Sequence, residues 1–312
     1  MAEPLLSVKG LRVDYEDITA VDDVSFEVEA GMVYGLIGPN GAGKTSIIRV
    51  IATLLQPTYG QVRVCDVDLL TDPLRALHHI GFMPDMPPLY DDLYVEEFLE
   101  LFASAYGLDA GARKRRVDEL LDKVQLVDKR RTPAGELSRG MKQRLFLAKT
   151  LLHDPKVLLL DEPASGLDPR ARLDLRDVIV ELGRAGKAVV VSSHILAEMA
   201  DFCNSVGIME RGKMLLSGRI DEILKQIRPG LLLRVRLLAP DDRIGAAIGG
   251  FSGTSEVEVD GCHATFKLSG DGEASASLLR ELIQKEFRVA EYREMTSNLQ
   301  DIFLQVSTGR VS

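Results

Sequence analysis

A glycine-rich segment has the spacing of a loop that binds phosphate groups. The segment reads Gly38-Pro39-Asn40-Gly41-Ala42-Gly43-Lys44-Thr45, with Ser46 directly after it. Glycines allow consecutive backbone N–H groups to turn inward around a polyphosphate, and the N-terminus of a following helix adds partial positive charge. Lys44 would reach the β and γ phosphates, and Thr45 would supply a magnesium ligand. The pattern GxxxxGK(S/T) therefore predicts a site for a nucleoside polyphosphate and Mg²⁺.

Two acidic residues follow a second apolar segment. Val157 to Leu160 are all apolar, and Asp161 and Glu162 come directly after them. A buried parallel strand would bring both carboxylates to its C-terminal edge, beside the glycine-rich loop. Asp161 would hold magnesium, directly or through water, and Glu162 would orient and deprotonate an attacking water. Acids at a strand end also serve as helix caps, and the upstream loop favours the catalytic interpretation.

The elements around these residues predict an α/β fold. The segment before Gly38 is apolar almost throughout, as central parallel strands are. Two alternating strands joined at Glu16-Asp17 precede it and predict an antiparallel subdomain. Residues 87–153 have helical spacing and read as a helical insertion. After it we expect a helix from Pro169 to Arg184, the strand 188–193, a short helix from Ile195 and a hairpin at Arg211-Gly212.

The last part of the chain predicts a second, small domain. From residue 229 to 312 the order is strand, helix, two strands joined at Asp260-Gly261, helix and strand, which fits a ferredoxin-like α+β unit. The expected domains are therefore 1–228 and 229–312. The alternative is that this part extends the sheet of the larger domain.

Composition excludes several classes of function. The 38 Lys and Arg residues against 47 Asp and Glu give a net charge of −9, which argues against general nucleic-acid binding. Cys65, Cys203 and Cys262 lack the spacing of a disulfide framework or a zinc site. Neither a signal segment nor a stretch near the ~18 apolar residues of a membrane span is found. We therefore expect any membrane association to come through a partner.

A third motif makes the assignment narrower. Leu137 to Arg144 reads LSRGMKQR, which resembles LSGGQ and its basic tail, the signature of ATP-binding cassette (ABC) ATPases. The resemblance covers roughly residues 5–220 and implies ATP as the nucleotide. Ser138 is placed to cap the following helix, whose free N–H groups would face an anion. In the family that anion is the γ-phosphate of ATP on the other subunit, so Ser138 and Gly140 are implied to complete a head-to-tail dimer.

The resemblance also assigns roles to single residues. Tyr15 stands where the family has an aromatic ring on adenine, although an ordinary sheet tyrosine is the alternative. The loop 164–168 resembles the one that couples the two sites of the dimer. His194 resembles the histidine that contacts the γ-phosphate, so that Lys44, Glu162 and His194 are the implied catalytic residues.

The sequence departs from the family at two places. Asp85 stands where most members have Gln, and a carboxylate could bind magnesium or its water but cannot donate a hydrogen bond. In the signature, Arg139 and Met141 replace Gly and Gln. Similar departures occur in a bacterial exporter subgroup with an extra C-terminal domain, whose ending resembles residues 296–304.

The resemblance implies the ATPase subunit of an exporter. Its partners would be a transmembrane permease subunit and a second ATP-binding subunit, either a copy of this chain or a related one. It would act in the cytoplasm, on the inner face of the membrane. The alternatives are an importer, a soluble ABC ATPase acting on ribosomes or DNA, and a non-enzymatic regulator. One phosphate loop, no sustained heptads and intact Glu162 and His194 speak against the last two.

Overall fold

The chain divides into two packing units, Met1–Ile220 and Asp221–Ser312. The computed structural model describes residues 3–86, 88–195, 199, 202–227 and 231–295. The two units are described separately. The domain ranges expected from the sequence, 1–228 and 229–312, stay a prediction.

A six-stranded sheet forms the centre of the first unit, and its strand order is β10-β9-β3-β8-β7-β6. All neighbouring pairs are parallel except β9 and β10, which form an antiparallel hairpin. Every residue of β3, β7 and β8 is buried, as expected for parallel strands covered on both faces. The strands are β3 (Val33–Ile37), β6 (Ile80–Met83), β7 (Val157–Leu160), β8 (Ala188–Ser193), β9 (Ser205–Glu210) and β10 (Lys213–Arg219).

The first unit also contains an antiparallel sheet of order β2-β1-β4-β5. Its buried face and the helix after the glycine-rich loop belong to one hydrophobic cluster, which also includes buried residues of the parallel sheet. The helix therefore lies between two sheets, and its position is fixed from both sides. The strands are β1 (Leu6–Tyr15), β2 (Ile18–Val28), β4 (Tyr59–Val64) and β5 (Val67–Asp68).

Three helices are inserted between β6 and β7 in the described part of the chain, and phenylalanines of the first and third of them pack together. The ring centroids of Phe98 and Phe102 are 5.0 Å apart, and those of Phe98 and Phe146 are 6.3 Å apart. Such pairs stabilise a packing interface beyond the area that they bury. The first-unit helices are α1 (Lys44–Ile51), α2 (Pro73–Leu77), α3 (Val95–Ala105), α4 (Ala110–Lys123), α5 (Arg139–Leu151) and α6 (Pro169–Arg184). Helix α7 consists of Ile220–Ile227.

The second unit has the ferredoxin-like arrangement. Its antiparallel sheet has the order β12-β13-β11-β14, and two helices follow the first and third strands. Alternate residues of β11 and β13 are buried with apolar residues of both helices in a separate core. The elements are β11 (Leu231–Leu237), α8 (Ile244–Gly249), β12 (Thr254–Asp260), β13 (His263–Leu268), α9 (Gly272–Gln284) and β14 (Val289–Glu294).

The structure corrects some local predictions. Asp260 pairs with His263, so the hairpin turn consists of Gly261 and Cys262 rather than Asp260-Gly261. Strand β6, at the edge of the parallel sheet, was not predicted from the sequence. Helix α1 ends at Ile51, and Thr53, two residues further on, adopts a left-handed backbone with φ 60°.

Other predictions fall outside the described residues. The short helix expected from Ile195 and the ending at 296–304 belong to this group. Among the residues that are described, no helix is long and apolar enough to cross a bilayer.

The core of the second unit gives a stability prediction. Phe266 is fully buried on β13, and truncation to Ala should cost about 3–5 kcal/mol through lost burial and the cavity left behind. Ile283→Ala on α9 is the matched control, because Ile283 is 58% exposed. Pulse proteolysis over a urea gradient, with fragments assigned by mass spectrometry, should show earlier cleavage within 231–295 only for Phe266→Ala. Equal urea sensitivity of the two variants would contradict the assigned core.

Candidate nucleotide-binding and catalytic site

The glycine-rich loop leaves β3 and enters α1 through a tight turn. Gly43 caps the helix with φ 101°, a left-handed conformation that favours glycine. A Cβ on Gly43 would collide with the backbone carbonyl oxygen of Ala20, and one on Gly38 would collide with that of Met209. The glycines are therefore required by close backbone packing as well as by the turn. Their packing places the first N–H groups of α1 at the mouth of a cavity.

Lys44, the first residue of α1, is buried beside the loop, with 5% of its surface exposed. Its Nζ donates to the carbonyl oxygens of Gly38 at 2.7 Å and Pro39 at 3.2 Å, and lies 3.6 Å from Oε1 of Glu162. Burial lowers the pKa of the ammonium, and the Glu162 and Asp161 carboxylates oppose that shift. The carbonyls and carboxylates hold a charged donor where it can approach a polyphosphate.

Asp161 directly follows β7 and is almost fully buried, at 4% exposure. Its Oδ1 accepts hydrogen bonds from Thr45 Oγ1 at 3.3 Å and from Ser192 Oγ at 2.6 Å. Magnesium bound with a nucleotide uses one or two protein oxygens besides the phosphates. The Thr45 hydroxyl and the Asp161 carboxylate are hard oxygen donors within contact of each other, so this pair fits such an ion.

Glu162 is held from three sides. Its backbone N–H donates to Ser192 Oγ at 2.9 Å, its Oε2 lies 2.9 Å from His194 Nδ1, and its Oε1 faces Lys44. Its φ of 47° lies in the left-handed region, which is unusual for a residue other than glycine. Such strain persists only where surrounding contacts fix the backbone, and it is concentrated at functional sites. The carboxylate is thereby aimed between a lysine and a histidine.

A cavity of about 380 Å³ brings most of these side chains together. Asp85 and Ser165 line it as well, so residues from four different loops meet at one edge of the parallel sheet. That edge is the usual ligand position in open α/β folds. The cavity is lined by Ala20, Asn40, Gly41, Ala42, Gly43, Lys44, Thr45, Ser46, Asp85, Glu162, Ser165 and His194.

Tyr15, Ser138 and Gly140, also singled out in the sequence, are not part of this lining. The Tyr15 hydroxyl is 3.3 Å from Ser46 Oγ at the cavity mouth, and the residue is 40% exposed. Ser138 accepts from the backbone N–H of Met141 at 3.3 Å, so it caps α5. Neither Ser138 nor Gly140 lines the cavity of its own chain.

Asp85 follows β6, and Glu162 follows β7. Because these two strands are parallel neighbours, both residues lie at the same edge of the sheet. The Oδ1 of Asp85 is shielded from solvent and has no hydrogen-bond partner among the described residues. Its backbone carbonyl accepts a long hydrogen bond of 3.5 Å from Gln143 Nε2 of α5. Asp85 lines the cavity, and a shielded acceptor without a partner is suited to an incoming cation or a water bound to one.

Sequence reasoning missed Ser192, which is fully buried and contacts both acidic residues. The available signal was the change from valines to Ser192-Ser193 at the end of an apolar strand. A polar residue at the C-terminal end of a buried parallel strand needs partners, and those of Ser192 directly follow the neighbouring strand β7. Ser165 was included only in the loop 164–168, and the structure places it at the cavity.

Comparison with known proteins gives one family. The family model described as "ABC transporter" matches residues 21–165. The daunorubicin resistance ATP-binding protein DrrA3 of Streptomyces coeruleorubidus is 31% identical over 98% of this chain and 97% of its own length. The Nod factor export ATP-binding protein I of Ralstonia nicotianae is 35% identical over 71% of this chain and 69% of its own length.

A solved structure supports the fold. An ATP-binding subunit of an ABC transporter, 34% identical, superimposes with a TM-score of 0.65 over 72% of this chain and 93% of that chain. The parallel sheet, the glycine-rich loop and the carboxylates at the end of β7 define a P-loop nucleoside triphosphatase. The chain belongs to the ATP-binding proteins of ABC transporters, a family of ATPases.

The position of Lys44 predicts the effect of its removal. Lys44→Ala should abolish ATP hydrolysis and severely weaken ATP binding, because among the described residues no second lysine or arginine lines the cavity. Lys9→Ala is the matched control, since Lys9 is exposed on β1 and pairs with Glu27 on the neighbouring strand. Phosphate release and equilibrium binding of a fluorescent ATP analogue would measure both effects. Wild-type turnover by the Lys44 variant would refute the site assignment.

Proposed function

We propose that this chain is the ATP-hydrolysing subunit of an exporter, acting on the cytoplasmic face of the membrane through a separate permease. The observation that carries the catalytic part is the convergence of Lys44, Glu162 and His194 at one cavity. Export is supported by relatives named for Nod factor export and daunorubicin resistance, the second matching nearly the full length of this chain. The ferredoxin-like second unit would be the accessory domain of that exporter subgroup.

Hydrolysis in this site requires a water in line with the γ-phosphorus. Glu162 accepts the proton of that water while the new O–P bond forms, and the bond to the bridging oxygen of ADP breaks. His194 Nδ1, 2.9 Å from the glutamate, fixes the carboxylate and can contact the γ-phosphate. Lys44 offsets charge on the β and γ phosphates. A magnesium ion held by Thr45 and Asp161 would neutralise further charge on the phosphates.

The second half of the site comes from another ATP-binding subunit, which is a copy of this chain or a related one. Ser138 and Gly140 lie outside the cavity of their own chain, and the first turn of α5 carries no acidic residue. A capped helix N-terminus of this kind favours an anion. In a head-to-tail dimer it would face the γ-phosphate held by the partner's Lys44.

Affinity purification from solubilised membranes tests the transport role. We expect the tagged chain, expressed in its native cell, to retain a polytopic membrane protein. Recovery should persist in the Lys44→Ala variant, because the proposed permease contact does not require hydrolysis. Recovery of ribosomes in place of a membrane protein would favour the soluble ABC ATPase interpretation.

The geometry around Glu162 predicts a separation of binding from hydrolysis. Glu162→Gln should retain ATP binding but slow hydrolysis by roughly 10²–10⁴-fold, the usual contribution of a positioned general base. The variant should also form an ATP-dependent dimer in size-exclusion chromatography, because the bound ATP is no longer consumed. Normal hydrolysis would mean that the base lies elsewhere, and a persistent monomer would contradict the head-to-tail arrangement.

The environment of Asp85 predicts that its substitutions affect the coupling of hydrolysis to transport. Its shielded carboxylate oxygen is suited to magnesium or its water in the closed site, and its loop joins β6 to the inserted helices. Asp85→Gln should leave basal ATPase activity near normal, because the common family residue is restored, whereas Asp85→Ala should uncouple hydrolysis from transport. ATPase rates with and without the permease, together with transport, measure the difference. Unchanged permease stimulation and transport in Asp85→Ala would show that the loop has no coupling role.

A further inference from the structure

Arg139, the first departure from the signature, lies against the loop 164–168 of the same chain. The Nη1 and Cζ atoms of its guanidinium occupy the space where a side chain on Gly166 would begin, and Nη2 is 2.7 Å from that point. The planar group therefore covers the α-carbon of Gly166. Gly166 has φ 67°, so glycine is favoured there by backbone conformation as well as by the arginine above it.

Electrostatics alone does not account for an arginine at this position. Arg139 is the first residue of α5, and the partial positive charge of a helix N-terminus disfavours a cation there. Among the described residues no hydrogen bond or ion pair of Arg139 is found, and its side chain is exposed. Close packing against Gly166 is thus the contact that accounts for the position of the Arg139 side chain. A planar guanidinium is suited to lie flat on a surface.

The neighbouring contacts join the same two segments. A Cβ on Gly140 would come within 2.9 Å of Ala171 Cβ, so the first turns of α5 and α6 touch closely. Asp168 Oδ1 accepts from the N–H groups of Arg170 and Ala171 at 3.0 Å, which fixes the loop to α6. Arg172 Nη2 donates to the carbonyl oxygen of Leu167 at 3.2 Å. Hydrogen bonds with the first turn of α6 therefore hold the loop in its position against the Arg139 guanidinium.

The contact also lies on a short path between two functional groups. The backbone N–H of Ser165 donates to the carbonyl oxygen of Glu162 at 3.0 Å, and Gly166 follows Ser165. Arg139 covers Gly166, and in the sequence it directly follows Ser138. The path thus runs from the general base of one ATP site to the serine proposed to serve the other site.

We propose that Arg139 is a positioning residue that fastens the loop 164–168 to the signature turn of its own subunit. This inference rests on the proposed head-to-tail dimer, in which both segments face the second subunit. Holding them together fixes the distance between Ser138 and the loop that follows Glu162. The signature turn and the loop 164–168 then contact the second subunit in a fixed arrangement. The residue acts through packing of its planar group and not through its charge.

A double-mutant cycle tests this contact. Arg139→Ala should lower the ATPase rate about fivefold, within the range of couplings between residues in contact. Gly166→Ala would displace the guanidinium and adds backbone strain, so its rate should fall at least as far. Because both changes remove the same contact, Arg139→Ala should cause less than a twofold further loss in the Gly166→Ala background. Effects that multiply in the double variant would overturn the proposal.

Two variants provide the controls. Gly186 has φ 86° and no atom within 4 Å of its would-be Cβ, so Gly186→Ala adds similar backbone strain without a collision. Its effect should multiply with that of Arg139→Ala. Arg139→Lys keeps the charge without the planar group and should behave as Arg139→Ala does. Full activity of the lysine variant would show that charge and not packing is responsible, which contradicts the proposal.

Binding measurements separate positioning from general damage. Arg139→Ala should leave the affinity of the single chain for ATP unchanged, but in the Glu162→Gln background it should weaken ATP-dependent dimerisation about fivefold. Unchanged dimerisation would overturn the proposal. If Glu162→Gln itself fails to dimerise with ATP, the dimer model is wrong, and the ATPase cycle alone then decides whether Arg139 and Gly166 are coupled.

Discussion

Burial of the Lys44 ammonium is the constraint on which the site depends. A cation with 5% of its surface exposed needs compensation, and it receives it from two loop carbonyls and from the Glu162 carboxylate. Those partners lie on different segments, which can meet only if β3 and β7 are held in the same parallel sheet. The apolar strands and the helix between two sheets supply that arrangement, so the hydrophobic core and the charged site specify each other.

Strand β8 contributes the second constraint. It lies between β3 and β7, and its Ser192 bonds both the Asp161 carboxylate and the Glu162 backbone, while His194 follows at its end. One strand thus orients the proposed magnesium ligand, the proposed base and the histidine. The strained φ of Glu162 is held by these contacts, which keep the carboxylate in the position that the proposed hydrolysis requires.

Much of this could be predicted from sequence because the signals are local. The spacing of Gly38, Lys44 and Thr45 requires a loop between a strand and a helix, and an apolar run that ends in Asp161-Glu162 requires a buried strand. The ferredoxin-like order of the second unit was predicted in the same way. Ser192 was missed because its role depends on which strand lies beside β8, and that pairing joins residues far apart in the sequence. Strand β6 was missed because four residues carry too little periodicity.

The contact of Arg139 with Gly166 illustrates the same limit. The sequence shows that an arginine replaces a glycine, but nothing local shows that its guanidinium lies on a loop 27 residues away. The departure at Asp85 is similar, since its position at the cavity depends on the pairing of β6 with β7. Local patterns predict the loop and the carboxylates, whereas contacts between distant segments require the three-dimensional structure.

A crystal structure of the Glu162→Gln variant with ATP and magnesium tests the central claim most directly, which is that two chains share each nucleotide. The account predicts a γ-phosphate within hydrogen-bond distance of Lys44 Nζ in one chain and of the Ser138 hydroxyl in a second chain, with Thr45 and Asp161 beside the metal. ATP bound in the cavity of a single chain, with Ser138 of every copy remote from any phosphate, would contradict it.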